Sequence, residues 1–394
     1  MLSLKETYQA TRRIVYREVK WLLFRPVYIF STILITIISC IFFLSLLREG
    51  APEKMPIAVV DLDQSSISRR VVHELNATQS VSVTCRFVTF QDARLAMQRG
   101  DVYAILVIPE RFYADMLAFK RPTLTFYING AYTLGANTAY KQLLMFANLA
   151  SGAFQREVLR KKGVAEHLIM KRIQPVAIDA HMLSNPSGNY AVYLASVLLP
   201  GILGLIVLMI TIYSIGSELK RKTSHEWLAE AQGSYTIAMM GKLFPHTCLY
   251  CFLGITINIL LFRIMHFPLH GSFLWLNVGM VLYIIAVQMM AVMWIGAIPV
   301  MREALSFGAL YGMMSFSLSG FTFPVSGMLP WMQALTQLFP LRHYYLIYVN
   351  EALMGLPLTE TLPSVGKLLL FLLPAVIVGK RLENALIYQN YPLK

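Results

Sequence analysis

Apolar residues are gathered into long uncharged runs, separated by one broad stretch of mixed character. Tyr28 to Leu47 carries no charge and has the roughly 20 residues a helix needs to cross a hydrocarbon core about 30 Å thick. Five further runs approach or exceed that length: Tyr190 to Gly216, Leu243 to Met265, Phe273 to Val300, Ala304 to Phe323 and Val365 to Gly379, the last short and containing Pro374. Six crossings are therefore expected.

Between Arg48 and Asn189 the pattern changes. Met55 to Val60 is a strand-like run, and the Asp61, Asp63, Ser65 and Ser66 that follow it suit the cap of a helix from about Ile67 to Leu75. Val81, Val83, Cys85 and Phe87 then alternate with polar residues as in a half-buried strand. A helix near Gln91 to Arg99, a strand Val102 to Ile108 closed by Pro109, a helix near Arg111 to Phe119 and a strand Leu124 to Ile128 complete the series. Strands alternating with helices predict a small α/β domain. A helical stretch from about Tyr140 to Arg160 leads back toward the apolar runs.

Ahead of Tyr28 lie Lys5, Arg12, Arg13, Arg17, Lys20 and Arg25, among which Leu4, Tyr8, Val15, Val19, Leu22 and Leu23 recur at near-helical spacing. This predicts an amphipathic helix in the cytoplasmic interface, the alternative being a solvated tail. The lead is too long for a secretory signal and lacks a small-x-small cleavage pattern, so the first run reads as an uncleaved span. Basic residues on the short loops orient the rest: Lys220, Arg221, Lys222 and Lys242 after the second run, Arg302 after the fourth, and Lys380, Arg381 and Lys394 at the end fall on one side, with only Arg263 and Arg342 opposite. By the positive-inside rule both termini are cytoplasmic and residues 48–189 are outside.

Composition supports a membrane protein: 56% of the 394 residues are apolar and 14% charged, against roughly half and a quarter in soluble domains. The net charge of +13 is spread along span ends, not gathered into a patch with interleaved aromatics, which argues against nucleic acid. Cys248-x-x-Cys251 lies in an apolar run and suits helix packing better than redox or metal chemistry. Gly241-Lys242 lacks the upstream glycine and the following Ser or Thr of a phosphate loop. Asp61-x-Asp63-x-Ser65 departs from a calcium loop at Ser66 and Val72, no two of the eight histidines have H-E-x-x-H spacing, and Asn76-Ala77-Thr78 is a sequon of the kind chance supplies. The chain thus offers no catalytic residue, no metal site, no cofactor site and no ATPase site of its own. Gln288, the main polar residue near a span centre, reads as an interhelical hydrogen bond.

Two segments stand out. Glu218 to Leu228, followed by Ala229 to Lys242, places a charged stretch with helical potential between two spans, more than a chain reversal requires. It is either a solvated connection or a rigid knob that docks on a partner. Ser319 to Tyr345 contains Pro324, Pro330 and Pro340 in an apolar setting. Prolines break a continuous span, and broken helices persist at membrane depth only where protein or a cavity shelters them. Re-entrant or interfacial helices are expected over 324–350, with Trp331, Tyr344 and Tyr345 as interface anchors.

At these residues the chain resembles the permease subunits of type-2 ABC exporters, in the bacterial branch with a large extracytoplasmic insertion after the first span. The Gly320-Phe-Thr-Phe-Pro324 run, Met328-Leu-Pro330-Trp331, and Pro340 before aromatic residues are similar to that family's outer signature. Val59 to Ser65 and Arg99 to Pro109 resemble two motifs of its outer domain. Glu218 to Leu228 resembles its coupling segment, with Lys222 where Gly is usual, and Gly241-Lys242 matches the pair that opens its third span.

The resemblance implies an α-helical membrane protein of six transmembrane helices with an inserted extracytoplasmic α/β domain between spans 1 and 2. The expected parts are an interfacial helix (1–27), span 1 (28–47), the outer domain (48–189) and spans 2–6 (190–394) with a coupling loop (217–242). Such a chain sits in the bacterial inner membrane, forms the translocation pathway, and pairs with a second permease copy or a paralogue and with a separate ATP-binding subunit. A periplasmic adaptor is a further partner this family allows. Glu218, Lys220, Arg221, Thr223, Glu226 and Trp227 are the expected coupling residues, the glutamates facing basic groups and Trp227 making the buried contact. The competing class is a membrane-anchored envelope sensor or binding protein working through its outer domain.

Overall fold

The computed structural model describes residues 4–48, 50, 53–118, 120, 122–173, 184–186 and 188–389. Phe119 and Lys394, named above, lie outside them, as do the side chains of Leu4 and Lys5. The chain divides into two compact units, residues 51–181 and the remainder.

The remainder begins with α1 (Leu4–Phe24), whose Ala10, Ile14 and Glu18 recur every four residues and are buried. That is one face of a helix: the side α1 turns to its own chain is the one bearing Glu18, while Tyr8, Val19 and Leu23 point away from the protein. Arg25 is extended and Pro26 opens α2 (Pro26–Tyr28), because proline's fixed φ and missing N–H fit a helix start. A π-helical stretch, Ile29–Leu34, joins α2 to α3 (Ile35–Leu46).

In residues 51–181 the strands and helices fall close to their expected places: β1 (Met55–Asp61), α4 (Ser66–Asn76), β2 (Val81–Phe87), α5 (Phe90–Arg99), β3 (Ala104–Ile108), α6 (Phe112–Leu117), β4 (Thr125–Ile128), α7 (Thr133–Lys161) and α8 (Glu166–Ile173). The sheet order is β2-β1-β3-β4, parallel except for β4. Alternate residues of the central strands face opposite sides. Ile57, Val59, Leu106 and Ile108 pack with Val72 and Leu75 of α4 and with Leu143 of α7, whereas Ala58, Val60 and Ile105 meet Ala93 and Ala96 of α5. Ser65 caps α4 by accepting from Ser68 N, and Asp61 is bonded by Asp63 N, Gln64 N and Ser68 Oγ. The aspartates thus organise a turn and a helix start.

The second stretch of the larger unit comprises α9 (Tyr190–Lys220), α10 (Ser224–Glu230), α11 (Tyr235–Ile259) with its π-helical end Leu260–Ile264, α12 (Phe273–Ala297), α13 (Met301–Leu318), α14 (Pro330–Thr336), α15 (Pro340–Tyr348), α16 (Leu358–Leu370) and α17 (Leu373–Tyr388). α9 is the axis of the bundle, buried on nearly every side. Close approach depends on small residues: a Cβ on Gly204 would collide with Tyr283 of α12, and one on Gly312 of α13 with Leu205. Thr247 of α11 donates to Gln288 Oε1 of α12 at 2.6 Å, the interhelical bond expected of Gln288.

Among the described residues five helical runs are long and apolar enough to cross a membrane: Pro26–Leu46, Tyr190–Lys220, Tyr235–Ile264, Phe273–Ala297 and Leu358–Tyr388. The protein is therefore an α-helical membrane protein. The sixth expected crossing, α13, has 18 residues, carries Arg302 and Glu303 in its first turn and is not among the five. The last run is longer than Val365 to Gly379, because Pro374 stands in the first turn of α17, where proline costs nothing, and not in mid-helix.

Candidate functional site

The segment that links α9 to α11 is a structured element. α9 runs to Lys220, Lys222 takes the left-handed conformation at φ 57°, and α10 starts two residues later. A glycine would adopt that φ without strain, and a lysine holds it here because both flanks are tied down. Gln389 Nε2 donates to Lys222 O at 3.1 Å, and Ser224 Oγ donates to Leu386 O of α17 at 2.8 Å.

Beneath α10 lies a buried cluster of charge. Lys242, fully enclosed, donates from Nζ to Glu18 Oε1 of α1 at 2.8 Å and to Glu218 Oε1 of α9 at 3.0 Å. The Trp21 and Trp227 rings face the same ammonium at 5.1 and 4.8 Å. Arg17 Nη2 reaches Glu218 at 2.7 Å and Glu18 at 3.1 Å, and its Nε approaches Glu230 of α10 at 3.7 Å. Thr223 closes the group by donating its hydroxyl to Glu218. Gly241 explains the tightness, since a Cβ there would stand 2.9 Å from Ile14 Cβ. The Gly241-Lys242 pair therefore works as two adjacent devices, one admitting α1 and the other binding it.

The electrostatics follow from enclosure. Removing a charge from water costs several kcal/mol, recovered only when opposite charges and hydrogen bonds are in place. Arg17 and Lys242 balance Glu18 and Glu218, and His246 Nε2 lies 3.6 Å from Glu18 Oε2. Burial pushes the Glu18 carboxyl up, but the Lys242 charge, with His246 beside it, outweighs this and holds it at about 2. Four helices, α1, α9, α10 and α11, are thus cross-linked by ionic contacts.

This placement corrects part of the sequence reading. Glu218 does not face outward, since its carboxylate is consumed by Lys242, Arg17 and Thr223. Trp227 is wholly buried against its own chain, because α10 lays its apolar side on the bundle. Thr223 is half-buried, and Lys220, Arg221 and Glu226 are exposed, together with Lys222 and His225. Glu18, Arg17 and His246 were not marked as site residues. The available signal was that Glu18 is the single acid between Glu6 and Glu49 in a basic lead, and that Lys242 follows a glycine at a span end.

The proline-rich segment is built on other principles. Pro324 precedes a 3₁₀ turn, Val325–Gly327, while Pro330 and Pro340 open α14 and α15. Gly320 sits at φ 95°, which favours glycine, and Arg342 Nη1 donates to Ser319 O beside it at 3.0 Å. Met328 O accepts from Gln333 Nε2 at 2.9 Å. Trp331 is exposed, Tyr345 is half-buried, and Tyr344 is a core residue stacked on Tyr283 at 5.2 Å, not an interface anchor. Nearby, the buried Glu351 accepts from Ser272 N at 3.0 Å and Thr361 Oγ1 at 2.9 Å, tying the start of α12 to α16. Among the described residues no group of three His, Cys, Asp or Glu is placed to hold a metal.

A family model described as ABC-2 family transporter protein matches residues 26–379. The match covers nearly the whole chain, which belongs to that family; α1 precedes the matched stretch. No curated protein matches the chain.

Proposed function

We propose that this ABC-2 family permease forms half of the translocation pathway of an ATP-driven exporter and is driven through α10 by a separate ATP-binding subunit, pairing with a second copy or a paralogue. The observation that carries this reading is the mounting of α10. Its apolar side is locked onto α9, α11 and α17, its outward side presents His225 and Glu226, and the turn that leads into it from α9 exposes Lys220, Arg221 and Lys222. A short helix so fixed transmits a push to the bundle, whereas a solvated loop absorbs it.

In this reading the chain crosses a bacterial inner membrane six times, α13 being one crossing, and both termini are cytoplasmic. Residues 48–189 form the extracytoplasmic domain, 324–350 re-enter the membrane from outside, and a periplasmic adaptor is a further partner. Coupling falls to the exposed Lys220, Arg221 and Glu226, while Glu218, Thr223 and Trp227 hold the helix in place from behind.

The test is co-purification of candidate ATP-binding subunits with the full-length chain and with an Arg221→Glu, Glu226→Arg variant. Both positions are exposed, so the variant should fold, and it should recover at least tenfold less partner. Equal recovery would return α10 to a solvated connection. A cysteine at Gln79 should react with an impermeant reagent from the extracytoplasmic side, and labelling only from the cytoplasm would overturn the topology.

A further inference from the structure

The N-terminal helix α1 has two faces, and its own chain uses one. Ala10, Ile14 and Glu18 are buried, with Arg17 and Trp21 beside them in the charge cluster. The other face carries Tyr8, Arg12, Tyr16, Val19, Lys20 and Leu23, all exposed, flanked by Arg13 and the exposed Phe24. Arg12, Arg13 and Lys20 form no ion pair among the described residues, and the helix's central acid, Glu18, is turned away to Lys242. Among the described side chains the outward face is therefore aromatic, aliphatic and cationic, with no compensating acid beside those cations.

What covers such a face follows from its continuation. Only Arg25 separates α1 from the Pro26–Leu46 run, whose Phe30, Ile38, Ile41 and Phe42 are also exposed and have the composition of a lipid-facing helix. Tyr and Trp concentrate at headgroup level, and cationic side chains beside them bind the negative surface of a bilayer. We infer that the outward face of α1 binds anionic phospholipids, with Arg12, Arg13 and Lys20 contacting the headgroup phosphates and Tyr16, Val19 and Leu23 seated among the acyl-chain ends. This rests on residues 26–46 spanning the membrane. Because the inward face of α1 is bonded through Lys242 to Glu218 behind α10, the bilayer's charge then bears on the mounting of α10.

The experiment uses the full chain in detergent, titrated with phosphatidylglycerol or phosphatidylcholine and read by native mass spectrometry, alongside an Arg12→Gln, Arg13→Gln, Lys20→Gln variant. Each basic residue near an anionic surface is worth about 1 kcal/mol, so the variant should bind phosphatidylglycerol on the order of a hundredfold more weakly, with phosphatidylcholine binding unchanged. A photoreactive side chain at Tyr16 should cross-link to phospholipid in native membranes. Equal phosphatidylglycerol binding by both proteins, or a Tyr16 cross-link to a protein, would overturn the inference. Neither readout involves an ATP-binding subunit, and the phosphatidylcholine arm reports on the spans, so failure here is distinct from failure of the coupling reading.

Discussion

The α10 mounting and the proline-rich segment both carry the resemblance to exporter permeases, yet they are held by opposite means. Behind α10, charged side chains from helices far apart in sequence meet in an enclosed space. In the segment from Ser319 to Tyr348, backbone carbonyls accept from side chains of the same region, and three prolines set where each short turn or helix starts. The first arrangement is all-or-none, since losing one partner strands an opposite charge; the second loses its contacts singly. A part that must transmit force gains from the first, and a part that shapes a surface needs only the second.

The largest predicted effect attacks the first arrangement. Lys242→Met leaves Glu18 and Glu218 with only Arg17 between them, and breaking a buried pair costs about 3–5 kcal/mol. Thermal unfolding of the detergent-solubilised chain should show it, and adding Glu18→Gln and Glu218→Gln should restore much of the loss. A single Lys242→Met variant as stable as the unmodified chain would erase the contrast. In the proline-rich segment, Arg342→Ala removes one charge-assisted bond to Ser319 O, a loss of about 1.5–3 kcal/mol. No second substitution there should rescue it, because no opposite charge is stranded.

The smallest effect is a pH response that sharpens the comparison. The Glu18 carboxyl sits below its ordinary range, so the stabilisation it supplies is complete above that range and is lost only as pH falls toward 2. Hydrogen exchange of α1 should stay protected from pH 7 down to about 4 and rise below that. Release of α1 between pH 6 and 5 would mean that Glu18 is not held by Lys242.

Legibility in the sequence follows the same division. The strands and helices of 55–128 depend on near neighbours, and local pattern finds them; the prolines of 324–340 mark an interruption, but not that Pro330 and Pro340 each open a helix. The last run, read as Val365 to Gly379 around Pro374, extends over Leu358–Tyr388, because proline is harmless in a first turn. Glu218 and Trp227 were assigned outward because a motif marks a segment without stating which face is turned in. The Lys242 cluster joins residues whose separation in sequence no periodicity reports; only the isolation of Glu18 among cations hinted at a distant partner.

That separation also has a consequence in time. Glu18 Oε1 and Lys242 Nζ are 224 residues apart in the chain. At a synthesis rate of roughly 5–20 residues per second, Glu18 waits on the order of 10–45 s after leaving the ribosome before its counter-ion exists. For that interval the Glu18 carboxylate has only its neighbour Arg17 to pair with, α1 is not yet fastened to α11, and the backing that α17 gives α10 comes later still.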